Sequence, residues 1–157
     1  MSDETSVAIG DLEALLGRLQ GGHQALVDAL TEAAPEDFER ETEEGESVKR
    51  ILERTADDVN FYYGRLVARA MSLPQPPCLQ RTDFSSLREA TVSLQVAHRR
   101  FANLLHDLVG SDLERKAEDP ELGTYTLRQV LEMATAHYAL RTQQVSRLKE
   151  GTAGASK

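Results

Sequence analysis

A chain of 157 residues, 40% of them hydrophobic, is the size of one domain and can bury a core without disulfide or metal staples. Its net charge of −8 excludes the broad Lys/Arg footprint that nucleic-acid binding needs. A single cysteine, Cys78, excludes an internal disulfide and a Cys-based zinc site, and no apolar run approaches the roughly 18 residues of a membrane span.

The chain starts MSDETSVAIGDLEALL, with acids where a secretory signal has a basic start, so the cytoplasm is the expected compartment. The first predicted helix covers 7–33 and sets Ile9, Leu12, Leu15, Leu16, Leu19, Leu26 and Leu30 on one side. Gly21-Gly22 interrupts it, at about 1 kcal/mol per glycine relative to alanine, which points to a kink or a close approach between helices. An acidic block, PEDFERETEEGES (Pro35 to Ser47), follows and reads as a solvated connection.

Ser47 is a good N-cap for the second helix, 47–71, with Val48, Ile51, Leu52, Val59, Tyr62 and Leu66 on its apolar face. Pro74, Pro76 and Pro77 then forbid helix. About ten residues of extended chain span roughly 30 Å, close to the length of a helix of about 24 residues, so this linker can carry the chain back along a bundle and leave the second and third helices parallel. The third predicted helix, 83–109, is capped by Thr82 or Asp83, carries Leu87, Thr91, Leu94, Phe101, Leu105 and Leu108, and stops at Gly110. The fourth, 125–149, follows Gly123 with Thr124 or Thr126 as cap, and GTAGASK (151–157) reads as a disordered tail. No run of alternating β-branched and aromatic residues appears, so no strand is predicted. The expected fold is all-α: a four-helix bundle over 1–150 with a long Pro-containing connection between helices 2 and 3.

The last helix poses the functional question. LEMATAHYALRTQQVSRL carries an apolar stripe of Leu131, Ala134, Tyr138, Val145 and Leu148, yet His137 and Arg141 fall on or beside it, one turn apart. Three stretches, GESVKRILERTADD, LLHDLVGSDLERKAEDPELG and YTLRQVLEMATAHYALRTQQVSRLK, resemble the DinB-like (YfiT-like) four-helix bundles over roughly Val7 to Glu150. The resemblance implies a divalent metal, often zinc or nickel, held by a histidine of the second helix and an HxxxH pair of the last. It also implies thiol-dependent transferase or isomerase chemistry, and pairing as a homodimer. On the matching positions this chain has Arg54, His137 and Arg141: one histidine of three. Arginine, with a pKa above about 12, repels cations rather than binding them. No cofactor is therefore expected.

The reading is a bundle of uncharacterised activity that keeps Arg54, His137 and Arg141 as a cationic pocket for a small anionic ligand, with Asp57, Asp58 and Glu132 as the nearby acids. One alternative is a metal-dependent S-transferase-like enzyme with a rearranged ligand set, zinc or nickel being its metal and His23, His98 and His137 a possible arrangement. The other is a non-catalytic dimeric structural or interaction module. Neither nucleic acid nor membrane is an expected partner. Tyr62 and Tyr63 are pocket-lining candidates; His106 lies off the stripe and is expected to be exposed. No GxSxG, P-loop, GxGxxG or HExxH motif occurs.

Overall fold

The structure is a computed structural model; it describes residues 2–74 and 82–155, and the side chains of 10–74 and 82–149. Pro76, Pro77 and Cys78 lie outside the described residues. The helices are α1 (Ser2–Thr31), α2 (Val48–Asp57), α3 (Gly64–Met71), α4 (Leu87–Leu104) and α5 (Leu127–Ala155). A π turn, Asp58–Tyr63, joins α2 to α3, so the two read as one rod and the fold is a four-helix bundle. The backbone of α5 passes Gly151, where the expected tail begins, and stays helical to Ala155.

Local chemistry explains the helix starts. The Ser47 hydroxyl accepts the Arg50 amide at 3.1 Å and so caps α2, as expected. Thr126 and Gln129 form a reciprocal capping box at α5: the threonine hydroxyl accepts the Gln129 amide (3.1 Å), and the glutamine side chain accepts the Thr126 amide (2.9 Å). The third start differs from the expectation. Thr82 and Asp83 do not cap α4; Ser86 does, accepting the Glu89 amide at 3.1 Å. Thr82 instead hydrogen-bonds Asp57, and Asp83 pairs with Lys49.

Those two bonds fix the topology. Lys49 also donates to the Phe84 carbonyl at 2.7 Å, and Glu53 accepts the Phe84 amide at 2.8 Å. The start of α4 is thereby held beside the start of α2, so the two run parallel after the crossover. The other pair is parallel too: Asp11 meets Arg128 at 3.5 Å near their beginnings, and Glu32 meets Lys149 at 2.6 Å near their ends. The π-turn rod runs opposite to α5, as Tyr63 lies against Met133 and Asp58 against Arg141. Leu15, Leu26, Ile51, Leu52, Leu66, Leu94, Phe101, Leu127 and Leu131 form the fully buried centre. Gly21-Gly22 causes no break in α1; a Cβ on Gly22 would stand 3.2 Å from the Tyr138 Cβ, so the pair marks a close approach to α5.

Two expectations fail between α4 and α5. The third predicted helix runs to Val109, with Gly110 as its stop. In the structure α4 ends at Leu104, and Gly110 opens a 3-10 turn, Gly110–Glu114, where the Asp112 carboxylate accepts the Val109 amide at 2.9 Å. A short antiparallel hairpin, β1 (Lys116–Asp119) and β2 (Gly123–Thr126), follows where no strand is predicted. Its four-residue strands are too short to show alternation. Tertiary contacts hold it instead: Ala117 is fully buried, and Asp119 accepts the Glu121 and Leu122 amides (2.9 and 3.0 Å) while pairing with Arg65 and Arg69 of α3 (2.6 and 3.4 Å). Burial works to raise the Asp119 pKa, but the two amide donors and the arginine partners outweigh it and hold the carboxyl below its ordinary value.

Candidate functional site

A narrow cleft opens between the π turn and α5, lined by Thr55, Asp58, Val59, Tyr63, Ala134, His137, Tyr138 and Arg141. In an α-helix, five residues advance about 140° beyond a full turn, which sets i and i+5 on different faces. A π turn hydrogen-bonds i to i+5 and stacks them. The turn at Asp58–Tyr63 therefore aims both of its end residues at α5, and both meet His137.

His137 is the hub. The Tyr63 hydroxyl contacts its Nδ1, and the Asp58 carboxylate lies 3.6 Å from the same nitrogen. Its Nε2 faces the Arg141 guanidinium, Nη2 at 3.5 Å. A guanidinium only donates, so Nε2 is the acceptor and Nδ1 carries the proton. Tyr63 then accepts from Nδ1–H and donates towards the Met133 carbonyl at 3.5 Å. Burial lowers the His137 pKa most; Asp58 raises it and Arg141 lowers it, so the ring is neutral at neutral pH. Burial, with Asp58 alongside, raises the Tyr63 pKa, which keeps that hydroxyl protonated.

Arg141 is 11% exposed and donates to Asp58 (3.2 Å) and Gln144 (3.0 Å), while its Nε is buried with no hydrogen-bond partner. Asp58 is thus the counter-ion of Arg141 and touches both sequence-derived site residues of α5. Arg54, the third, is not brought to them. It lies one turn earlier on α2, half exposed, and pairs with Glu46 across the start of that helix. Asp57 turns away to Thr82, and Glu132 is exposed. Asp58 is legible in the sequence only as one of three nearby acids; the five-residue spacing to Tyr63 carries no helical signal.

The other buried histidines form a separate cluster. His23 of α1 and His98 of α4 stack face to face, centroids 3.9 Å apart and planes within 2°. His98 Nδ1 bonds the Tyr138 hydroxyl and Nε2 bonds the Gln20 side-chain oxygen, each at 2.9 Å. Both nitrogens are occupied, and His137 sits in the other cluster, so the arrangement of His23, His98 and His137 as one ligand set is not formed. Burial lowers the His98 pKa to about 4, with His23 adding to the effect, and burial lowers His23 itself. His106 is exposed, as expected. Among the described residues, no group of three or more His, Cys, Asp or Glu side chains is placed to hold a metal ion.

The fold, with α1 parallel to α5 and α2 parallel to α4, is a four-helix bundle of DinB-like topology. Among solved structures the chain is similar to YfiT from Bacillus subtilis, described as a probable metal-dependent hydrolase with an unusual four-helix bundle topology. The match has a TM-score of 0.64 at 17% identity and covers 88% of this chain and 87% of that one. At that identity the likeness establishes the fold. Searches against models of protein families and against curated proteins give no match. No helix among the described residues is long and apolar enough to cross a membrane.

Proposed function

We propose that this DinB-like bundle works without a resident metal, as a binding domain whose cleft takes a small carboxylate or phosphate on Arg141. One observation carries the reading: the guanidinium lies 3.2 Å from Asp58 and 3.5 Å from His137 Nε2. Those are the two groups of the cleft best suited to ligate a divalent ion, and a fixed cation already stands between them. A metal would meet that like charge in a half-buried setting, where repulsion between two unit charges at 4 Å is about 4 kcal/mol. The residues present therefore do not fit the metal that the YfiT description implies, and its hydrolase activity gains no support here.

An anion reaches Arg141 by exchanging with Asp58. Arg141 presents a planar fork whose Nε has no partner, and a bidentate oxyanion satisfies such a fork better than a single carboxylate oxygen. The neutral His137 adds no charge, so the cleft holds one cation and one anion. That balance favours a second reading, a structural module in which Asp58–Arg141 is a closed internal pair. Metal analysis of protein purified without a histidine tag, with thermal melting in rising phosphate, separates these. The expected outcome is no stoichiometric metal and a phosphate-dependent rise in Tm. Arg141→Ala abolishes that rise, and Asp58→Asn, which frees the guanidinium, enlarges it. Stoichiometric zinc or nickel on His137 overturns the metal-free reading. A phosphate response identical in parent and Arg141→Ala moves the assignment to the structural module.

A further inference from the structure

We propose that the groove between the end of α1 and the start of α4 is a docking site for a short basic amphipathic helix of another protein. The groove measures about 660 Å³ and is bounded by the last turn of α1, the 3-10 turn Pro35–Asp37 with the residues that follow it, and the first turns of α4. Leu30, Phe38 and Leu87 are buried and form an apolar floor, and Val92, 53% exposed, carries it out into solvent. From Leu87 to Val92 the α4 wall is about 8 Å long at 1.5 Å per residue. That length takes a pair of apolar side chains one turn apart on a helix laid into the groove.

Charge decides the occupant. Beside the groove, Glu32, Asp37, Glu41 and Glu46 each pair with a cation of the chain: Lys149, Arg40, Arg50 and Arg54. Glu36 and Glu39, the two acids that line the groove, have no such partner among the described residues. The last turn of α1, which ends beside them, carries no basic residue, so nothing in that turn offsets the partial negative charge of its free carbonyls. Arg88 stands on the opposite, α4 wall. The groove is therefore apolar along its floor, negative along one edge and positive at one point of the other. It calls for a segment with Lys or Arg on the edge that meets Glu36 and Glu39, and none on the edge that meets Arg88. The same acidic rim repels an anionic membrane surface and nucleic acid, which leaves a cationic polypeptide. The rim is exposed, so its charges steer and select the partner while the apolar floor holds it.

Fluorescence anisotropy with two labelled helical peptides tests this. One is built of leucine and lysine alone, with its leucines on one face; the other has glutamate at every lysine position. The lysine peptide is expected to bind the parent, and the glutamate peptide is not. Glu36→Lys with Glu39→Lys should weaken the lysine peptide at least tenfold and give the glutamate peptide measurable affinity. Val92→Ser should weaken the lysine peptide at least threefold. These three positions are exposed, so helicity and Tm should stay those of the parent. Glu43→Lys with Glu44→Lys makes the same change of charge on the acidic connection, away from the groove lining, and should leave the affinity within twofold. A lysine peptide that does not bind, an equal loss from both charge pairs, or a Val92→Ser variant that binds like the parent would overturn the proposal. So would self-association of the parent, seen by light scattering, that Val92→Ser abolishes, because a second copy then fills the groove.

Discussion

Two imidazole clusters lie on either side of α5, and they solve the same problem differently. His98 is surrounded on both nitrogens by uncharged partners and stacked on another imidazole, so the pair is sealed as neutral core. His137 shares its surroundings with a carboxylate and a guanidinium and opens to a cleft. Adjacent residues of α5 separate the two settings: Tyr138 completes the sealed cluster and His137 the open one. A histidine on an apolar stripe thus acquires its role from what faces it, and only the second arrangement retains groups that a ligand can exchange with.

Acid should break the sealed cluster first, and with the largest effect. The folded pKa of His98 is about 4, below the ordinary histidine value of 6.5. Between those values the unfolded chain binds a proton that the folded chain does not. Stability from this group is full above pH 6.5 and falls as the pH drops towards 4, by about 3 kcal/mol in all. His98→Gln should lower stability at pH 7 yet remove this slope, so urea unfolding of parent and variant should converge on acidification. A gap that stays constant across that range would show that His98 does not titrate as its surroundings dictate.

The open cluster should respond to charge instead. Asp58→Asn leaves Arg141 without its counter-ion and should cost about 1–2 kcal/mol, less than the roughly 3–5 kcal/mol of a fully buried pair because Asp58 is 30% exposed. Adding Arg141→Met should recover most of it, as the unpaired charge is then gone. Chemical denaturation checks both; additive losses would deny the coupling of Asp58 to Arg141.

The smallest effect marks the border of the site. Arg54→Ala removes a half-exposed ion pair with Glu46, and such pairs contribute roughly 0–1 kcal/mol. Its Tm and its phosphate response should match those of the parent. A lost response would return Arg54 to the cleft.

What the sequence disclosed follows the same divide. Periodicity disclosed the helices, because burial of Leu12, Ile51, Leu94 or Leu131 needs nothing beyond a repeat of 3.6 residues. His137 and Arg141 stood out because they broke that repeat. The hairpin stayed hidden, since Lys116–Asp119 owes its shape to Arg65 and Arg69, which lie some fifty residues earlier. Asp58 and Tyr63 stayed hidden because their five-residue spacing faces one way only inside a π turn, and no local residue type announces one. The stacking of His23 on His98 depends on two helices far apart in sequence and is likewise absent from any window of the chain.

The parallel pairing of α1 with α5 also sets the order in which the molecule can assemble. Glu32 and Lys149 are 117 residues apart, and α1 packs most extensively on the last helix to be made. An up-and-down bundle lets each helix dock on its predecessor as it emerges; here the leucine stripe of α1 waits, uncovered on that side, until α5 has been synthesised. Closing so long a loop slows folding relative to a bundle of nearest-neighbour contacts. The helix made first is the one whose hydrophobic face stays longest in solvent, which makes α1 the segment of a nascent chain that depends most on protection from aggregation.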